Sequence, residues 1–147
     1  MTRVSGINHV AVLTADLDRF VGFYREVFDL PVLFQEAAPG FRHAILRAGE
    51  ACWLHPAEVI GNPHGTALPD MFTRGHLDHI ALTAASAEAF ALLREELVAR
   101  GASDGKVEDL GAFHALWFRD PDGMRGEVSL IVDARLGGFH APVPLSP

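Results

Sequence analysis

An internal repeat constrains this chain more than any other feature. Ile7-Asn8-His9-Val10-Ala11-Val12 superposes on Leu77-Asp78-His79-Ile80-Ala81-Leu82, an offset of 70 residues, and the same offset carries Ala15 onto Ala85, Phe20 onto Phe90 and Glu26 onto Glu96. A period of this size means that one supersecondary unit is used twice. Within a single domain over 1–147, residues 4–58 form the first module and residues 75–132 the second. Residues 59–74 link them, with turn signals at Gly61-Asn62-Pro63 and Leu68-Pro69-Asp70. Residues 133–147 are a Gly- and Pro-bearing tail, expected to drape over a neighbour or stay mobile.

Both modules read as βαβββ, an α+β class. Residues 7–13 are a short strand rich in Val and Ile, after which Asp16 offers an N-cap to a helix with Leu17, Phe20, Val21, Tyr24, Val27 and Phe28 on one side. Leu30-Pro31 stops that helix; Val32–Gln35 is a strand, and Phe41–Arg47 and Ala51–His55 form a hairpin. In the second module Ser86 caps a helix that Gly101 ends, and Val107–Leu110 is a weak strand. The hairpin Phe113–Arg119 and Glu127–Val132 turns at Asp120-Pro121-Asp122-Gly123. The third strands align as His43-Ala44-Ile45-Leu46 against His114-Ala115-Leu116-Trp117.

Composition narrows the partners. The formal charge is −7, Lys106 is the only lysine and the arginines are scattered, so the chain has no basic surface with which to displace counterions from nucleic acid. No apolar run approaches the ~18–20 residues that span a bilayer. One cysteine, Cys52, allows no intrachain disulfide, and the Met1–Ser5 start lacks a secretory pattern, so the expected setting is the reducing cytoplasm. The expected partner is a small molecule.

The 8 histidines supply the chemistry. Repeats of one unit pack about a pseudo-twofold axis, so His9 and His79, at equivalent positions of their first strands, can converge. An imidazole on a strand is either hydrogen-bonded in the core or a metal ligand, and finding two at one repeat position favours ligands. Glu127, which shares a strand face with Ser129 and Ile131, supplies the carboxylate that a divalent ion commonly takes alongside two imidazoles.

Asn8-His9-Val10-Ala11-Val12, Phe23-Tyr24-Arg25-Glu26-Val27-Phe28-Asp29-Leu30, His79-Ile80-Ala81-Leu82 and Phe118-Arg119-Asp120-Pro121-Asp122-Gly123 followed by Glu127 resemble the vicinal oxygen chelate superfamily. That superfamily holds glyoxalase I, bleomycin-resistance proteins, fosfomycin-resistance proteins and extradiol dioxygenases. The resemblance runs over about Val4–Val132. It implies two βαβββ modules forming a cupped mixed sheet around a divalent metal, and it carries metal roles to His9, His79 and Glu127. The implied ion is Fe(II) or Mn(II), with Zn(II) or Ni(II) as alternatives, and the implied assembly is a homodimer.

Two departures matter. The fourth family ligand lies on the last strand of module one, where pairing Ala51–His55 with Arg125–Ser129 puts Trp53 opposite Glu127, and an indole is no ligand. His55, two residues on, substitutes only if the register slips. A second departure is Trp117, which stands where catechol-cleaving relatives carry a substrate-contacting tyrosine; the only tyrosine here is Tyr24, on the first helix. His55, Trp53, Trp117 and Phe113 are therefore expected to contact substrate. His43 and His114 should point to the other face, His64 and His76 flank the mouth of the cup, and His140 is solvated.

The leading expectation is a metal-dependent enzyme of the dioxygenase and glyoxalase type, dioxygenase chemistry ahead of lyase chemistry, chelating a small substrate through neighbouring oxygens. No acid–base residue is assigned. One alternative is a metal-free protein that sequesters a ligand as bleomycin-resistance proteins do, commonly as a homodimer. The other is a fosfomycin-resistance-like thiol transferase, disfavoured by the scarcity of lysine and the scatter of Arg42, Arg47 and Arg119.

Overall fold

A computed structural model describes residues 8–50, 52–62, 77, 79–133 and 142–145. Two compact units, Met1–Leu68 and Pro69–Pro147, divide the chain. His64, His76 and His140, Asp78, and most of the linking loop and tail lie outside the described residues.

In the first unit, β1 (His9–Leu13), α1 (Leu17–Phe28), β2 (Val32–Ala38), β3 (Phe41–Arg47) and β4 (Trp53–Val59) build a four-stranded sheet of order β1-β4-β3-β2. β1 lies parallel to β4 and the other neighbours are antiparallel. The Asp16 carboxylate accepts from the Arg19 amide at 3.0 Å, which satisfies one of the orphan donors of α1. Asp29, in the left-handed region at φ 57, closes the helix. The apolar stripe of α1 is buried as its spacing predicts, with Leu17, Phe20 and Tyr24 at most 2% exposed. It packs on β3 and β4, whose helix-facing Ala44, Leu46 and Leu54 are buried. The opposite face of this sheet carries His9, Trp53, His55 and His43.

The second unit repeats the plan with β5 (Ile80–Thr83), α2 (Ala87–Ala99), β6 (Val107–Asp109), β7 (Phe113–Arg119) and β8 (Arg125–Ile131). The Ser86 hydroxyl caps α2 by accepting from the Ala89 amide at 3.1 Å, and Gly101 ends it at φ 67. At the β7–β8 turn the Asp120 carboxylate accepts from the amides of Asp122 and Met124, both at 2.9 Å, and Gly123 takes φ 82. A short strand from the tail, β9 (Val143–Pro144), pairs with β6, so the sheet order is β5-β8-β7-β6-β9. This part of the tail thus belongs to its own unit. Among the described residues no helix is long and apolar enough to cross a membrane.

The α+β class and both βαβββ units agree with the sequence reading, each unit having its own mixed sheet. Three expectations are corrected. First, β4 runs through Pro56 to Val59, because Pro56 sits where the ladder to β3 is interrupted and pairing resumes at His43 and Ala57. Second, the repeat does not keep one offset. Thr14 N donates to Ala57 O at 3.0 Å and Ala84 N to Ser129 O at 2.9 Å, so a 70-residue step in the first partner meets a 72-residue step in the second. The second module has two extra residues between its helix and its last three strands. His43 therefore corresponds to Ala115, not His114. Third, the strand expected over Val32–Gln35 runs on to Ala38 and carries a bulge: Val32 pairs with Leu46 but Phe34 with Ile45, which leaves Leu33 unpaired.

Candidate metal and substrate site

In the second unit Glu127 is 4% exposed although it lies on the face away from α2. Its Oε1 accepts from the Ser129 hydroxyl at 2.5 Å, and its Oε2 lies 3.6 Å from His79 Nε2. That separation is longer than a hydrogen bond and suits two ligands each about 2.1 Å from one ion. Trp117, the direct cross-strand neighbour of Glu127, forms the adjoining wall. Its indole N–H donates to Glu108 at 2.9 Å, the His79 ring stands edge-on to it at 5.0 Å, and the Arg125 guanidinium lies 3.6 Å over its centroid. A cleft of about 640 Å³ beside Trp117 is lined by Ser103, Lys106, Glu108, Arg119 and Arg125 among others. The scatter of cations read from the sequence is thus gathered locally. Phe113 shares the face of Trp117 but sits at the other end of β7, opposite Ile131.

In the first unit β1 and β4 repeat the arrangement of β5 and β8. Ala11 pairs with His55 as Ala81 pairs with Glu127, so His55 and not Trp53 occupies the position equivalent to Glu127. Trp53 pairs with His9 instead, one position pair earlier on the same face. The alignment that opposed Trp53 to Glu127 is corrected by the two-residue drift. His9 Nδ1 lies 2.8 Å from the Asn8 amide oxygen, which can only accept, so Nε2 keeps the lone pair. The His9 and His55 rings are 5.8 Å apart.

His43 also differs from expectation: it shares the face of His55, with His43 Nδ1 at 2.9 Å from His55 Nε2. On its other side His43 Nε2 lies 3.2 Å from Glu36 Oε2. His114 does lie on the opposite face, in alternation with Trp117. Glu36 escapes a reading of the sequence, although the 72-residue step sets it against Glu108, another acid on a second strand.

Burial, followed by the repulsion of His43 and then His9, holds the His55 imidazole below its ordinary pKa. The folded metal-free protein therefore resists protonation at His55, whereas the unfolded chain takes up the proton near pH 6.5. This contribution to stability is present above that value and is lost as the pH falls. Thermal midpoints of metal-free protein at pH 7, 6 and 5 are expected to drop more steeply for the wild type than for His55→Gln; equal slopes would contradict the assignment.

Two βαβββ units, each with a histidine before or on its first strand and a histidine or glutamate at one equivalent position of its last, define the class of fold. Residues 6–128 match the Glyoxalase/Bleomycin resistance protein/Dioxygenase superfamily, and the chain belongs to that family. A glyoxylase/bleomycin resistance protein/dioxygenase domain from Frankia sp. EAN1pec is 30% identical, covering 87% of this chain and 98% of that one, with a TM-score of 0.71. Lactoylglutathione lyase from Agrobacterium tumefaciens is 21% identical over 94% of this chain and 100% of its own, with a TM-score of 0.64. The fosfomycin resistance protein FosX from Listeria monocytogenes, complexed with Mn(II) and 1S,2S-dihydroxypropylphosphonic acid, is 17% identical over 90% and 97%, with a TM-score of 0.66. No curated protein matches the chain. Among the described residues no group of three or more His, Cys, Asp or Glu side chains is disposed to hold a metal ion by itself.

Proposed function

We propose that this protein is a divalent-metal-dependent enzyme that binds a small substrate through vicinal oxygens. The proposed ligands are His9, His79 and Glu127, with His55, at the position equivalent to Glu127, as the fourth. The observation that carries this reading is the buried Glu127, steadied by Ser129 and set 3.6 Å from His79 Nε2. The donor set fits a metal. His9 has one ring nitrogen engaged by Asn8 and the other left with its lone pair, as ligating histidines require. Three imidazoles and one carboxylate suit a borderline first-row ion, Fe(II), Mn(II), Zn(II) or Ni(II), over Mg(II) or Ca(II). When bound, the ion would supply Lewis-acid stabilisation of negative charge on the substrate oxygens.

The fourth position bears on the reaction class. Two histidines and one carboxylate leave room for both a chelating substrate and O2, as in non-haem iron oxygenases. With His55 as a fourth protein ligand, a bound ion would have less room for O2 beside a chelating substrate. Lyase or isomerase chemistry of the glyoxalase kind is therefore favoured over O2 chemistry. Trp117 and Trp53 would wall the substrate, and Lys106, Arg119 and Arg125 suit an anionic substituent.

Metal analysis tests the reading. Protein purified without chelators is expected to carry about one divalent ion per chain, and His79→Ala less than about a tenth of that. If the wild type retains no more metal than the variant, the reading fails.

A further inference from the structure

We propose that Glu36 and His43 are positioning residues for His55: they hold its imidazole in the tautomer protonated at Nε2, so that Nδ1 is its lone-pair nitrogen. The proposal rests on His55 as the fourth ligand, and it assigns a task to two side chains that the metal site itself does not use.

The argument follows the hydrogen-bond chain from its outer end. Glu36 and His43 are direct cross-strand partners on β2 and β3, and the Glu36 carboxylate, 61% exposed, can only accept at physiological pH. His43 Nε2, at 3.2 Å, is therefore the donor. A neutral His43 then has its lone pair on Nδ1, and that atom lies 2.9 Å from His55 Nε2. His55 Nε2 must donate. The His43 ring is itself clamped between Phe34 at 5.3 Å and Phe41 at 5.0 Å, so its orientation is fixed by packing as well as by bonds. Outer partners that fix a ligand's tautomer commonly matter about 10–100-fold in metal affinity. The second unit has no counterpart, since Ala115 stands at the position of His43 and Glu108 is used by Trp117.

Two measurements on the full chain test this separately from the function on which it rests. Two-bond 1H–15N correlation spectra of metal-free protein, recorded above the range of imidazole titration, are expected to show His55 protonated at Nε2. In His43→Gln and Glu36→Gln the two His55 nitrogens should move toward the averaged shifts of an unconstrained ring. A packing role alone would not produce that change. Titration with Mn(II) should then show affinity lowered about 10–100-fold by His43→Gln and less by Glu36→Gln, whose exposed edge position leaves the fold intact. Wild-type protein with His55 protonated at Nδ1, or variants with unchanged spectra, would overturn the positioning role whatever the metal does. A His55→Ala variant that binds Mn(II) as tightly as the wild type would overturn the ligand reading instead, with the tautomer result standing.

Discussion

Gly126→Ala is expected to destabilise the second unit by about 3 kcal/mol, which for a chain of this size lowers the thermal midpoint by about 10 °C. A Cβ at this position would come within 2.7 Å of three carbons at the outer end of the Phe118 ring, a side chain that is 3% exposed and has little room to retreat. The repeat shows why the glycine is there. Phe118 and Gly126 are cross-strand partners in the second unit, and the corresponding partners in the first are Leu46 and Leu54. One unit fills the space under its helix with two medium side chains and the other with one large ring over a bare backbone. Phe118→Leu combined with Gly126→Ala should therefore recover much of the loss, as read by thermal or denaturant unfolding. Additive damage would mean that the backbone at Gly126, and not the ring, is the constraint.

Glu127→Gln is expected to separate metal binding from folding. The amide keeps the outline of the carboxylate and an oxygen that can accept the Ser129 hydroxyl, so the metal-free thermal midpoint should stay within about 2 °C of the wild type. Removal of the only negative charge among the proposed ligands should weaken divalent-ion binding more than about 100-fold, beyond what loss of an outer partner costs. Calorimetric titration of both proteins with Mn(II) reads the difference. A variant that binds as tightly as the wild type would show that the carboxylate is there for Ser129 and the sheet.

The sequence carried the two-unit plan because it rests on local signals: Asp16 and Ser86 at helix starts, the stripe from Leu17 to Val27, the turn before Gly123. It also carried His9, His79 and Glu127 as candidates, since a repeated histidine and a carboxylate on an apolar strand are visible without coordinates. What it did not carry is phase. Two additional residues in a connector leave no mark on hydrophobic periodicity, yet they decide whether Trp53 or His55 stands for Glu127. Pro56 compounded this by reading as the end of a strand that it in fact traverses. Likewise Glu36 has nothing in its neighbourhood to distinguish it from a solvated edge residue. Its significance comes from His43, which lies across the sheet.

The unpaired Leu33 has a consequence for how such a surface can change. With the bulge, Phe34 and Glu36 lie on the side of His43, while Gln35 and Ala37 face the helix, where the Gln35 amide reaches Asp18 at 3.5 Å. Loss of Leu33 itself would only make the ladder regular, whereas loss of one residue beyond it, such as Gln35, would turn Glu36 to the helix side and set Ala37 against His43, with no substitution anywhere. The chemical character of this edge is thus written in chain length as much as in side-chain identity. Insertions and deletions, usually counted as noise in loops, can here act as mutations of function.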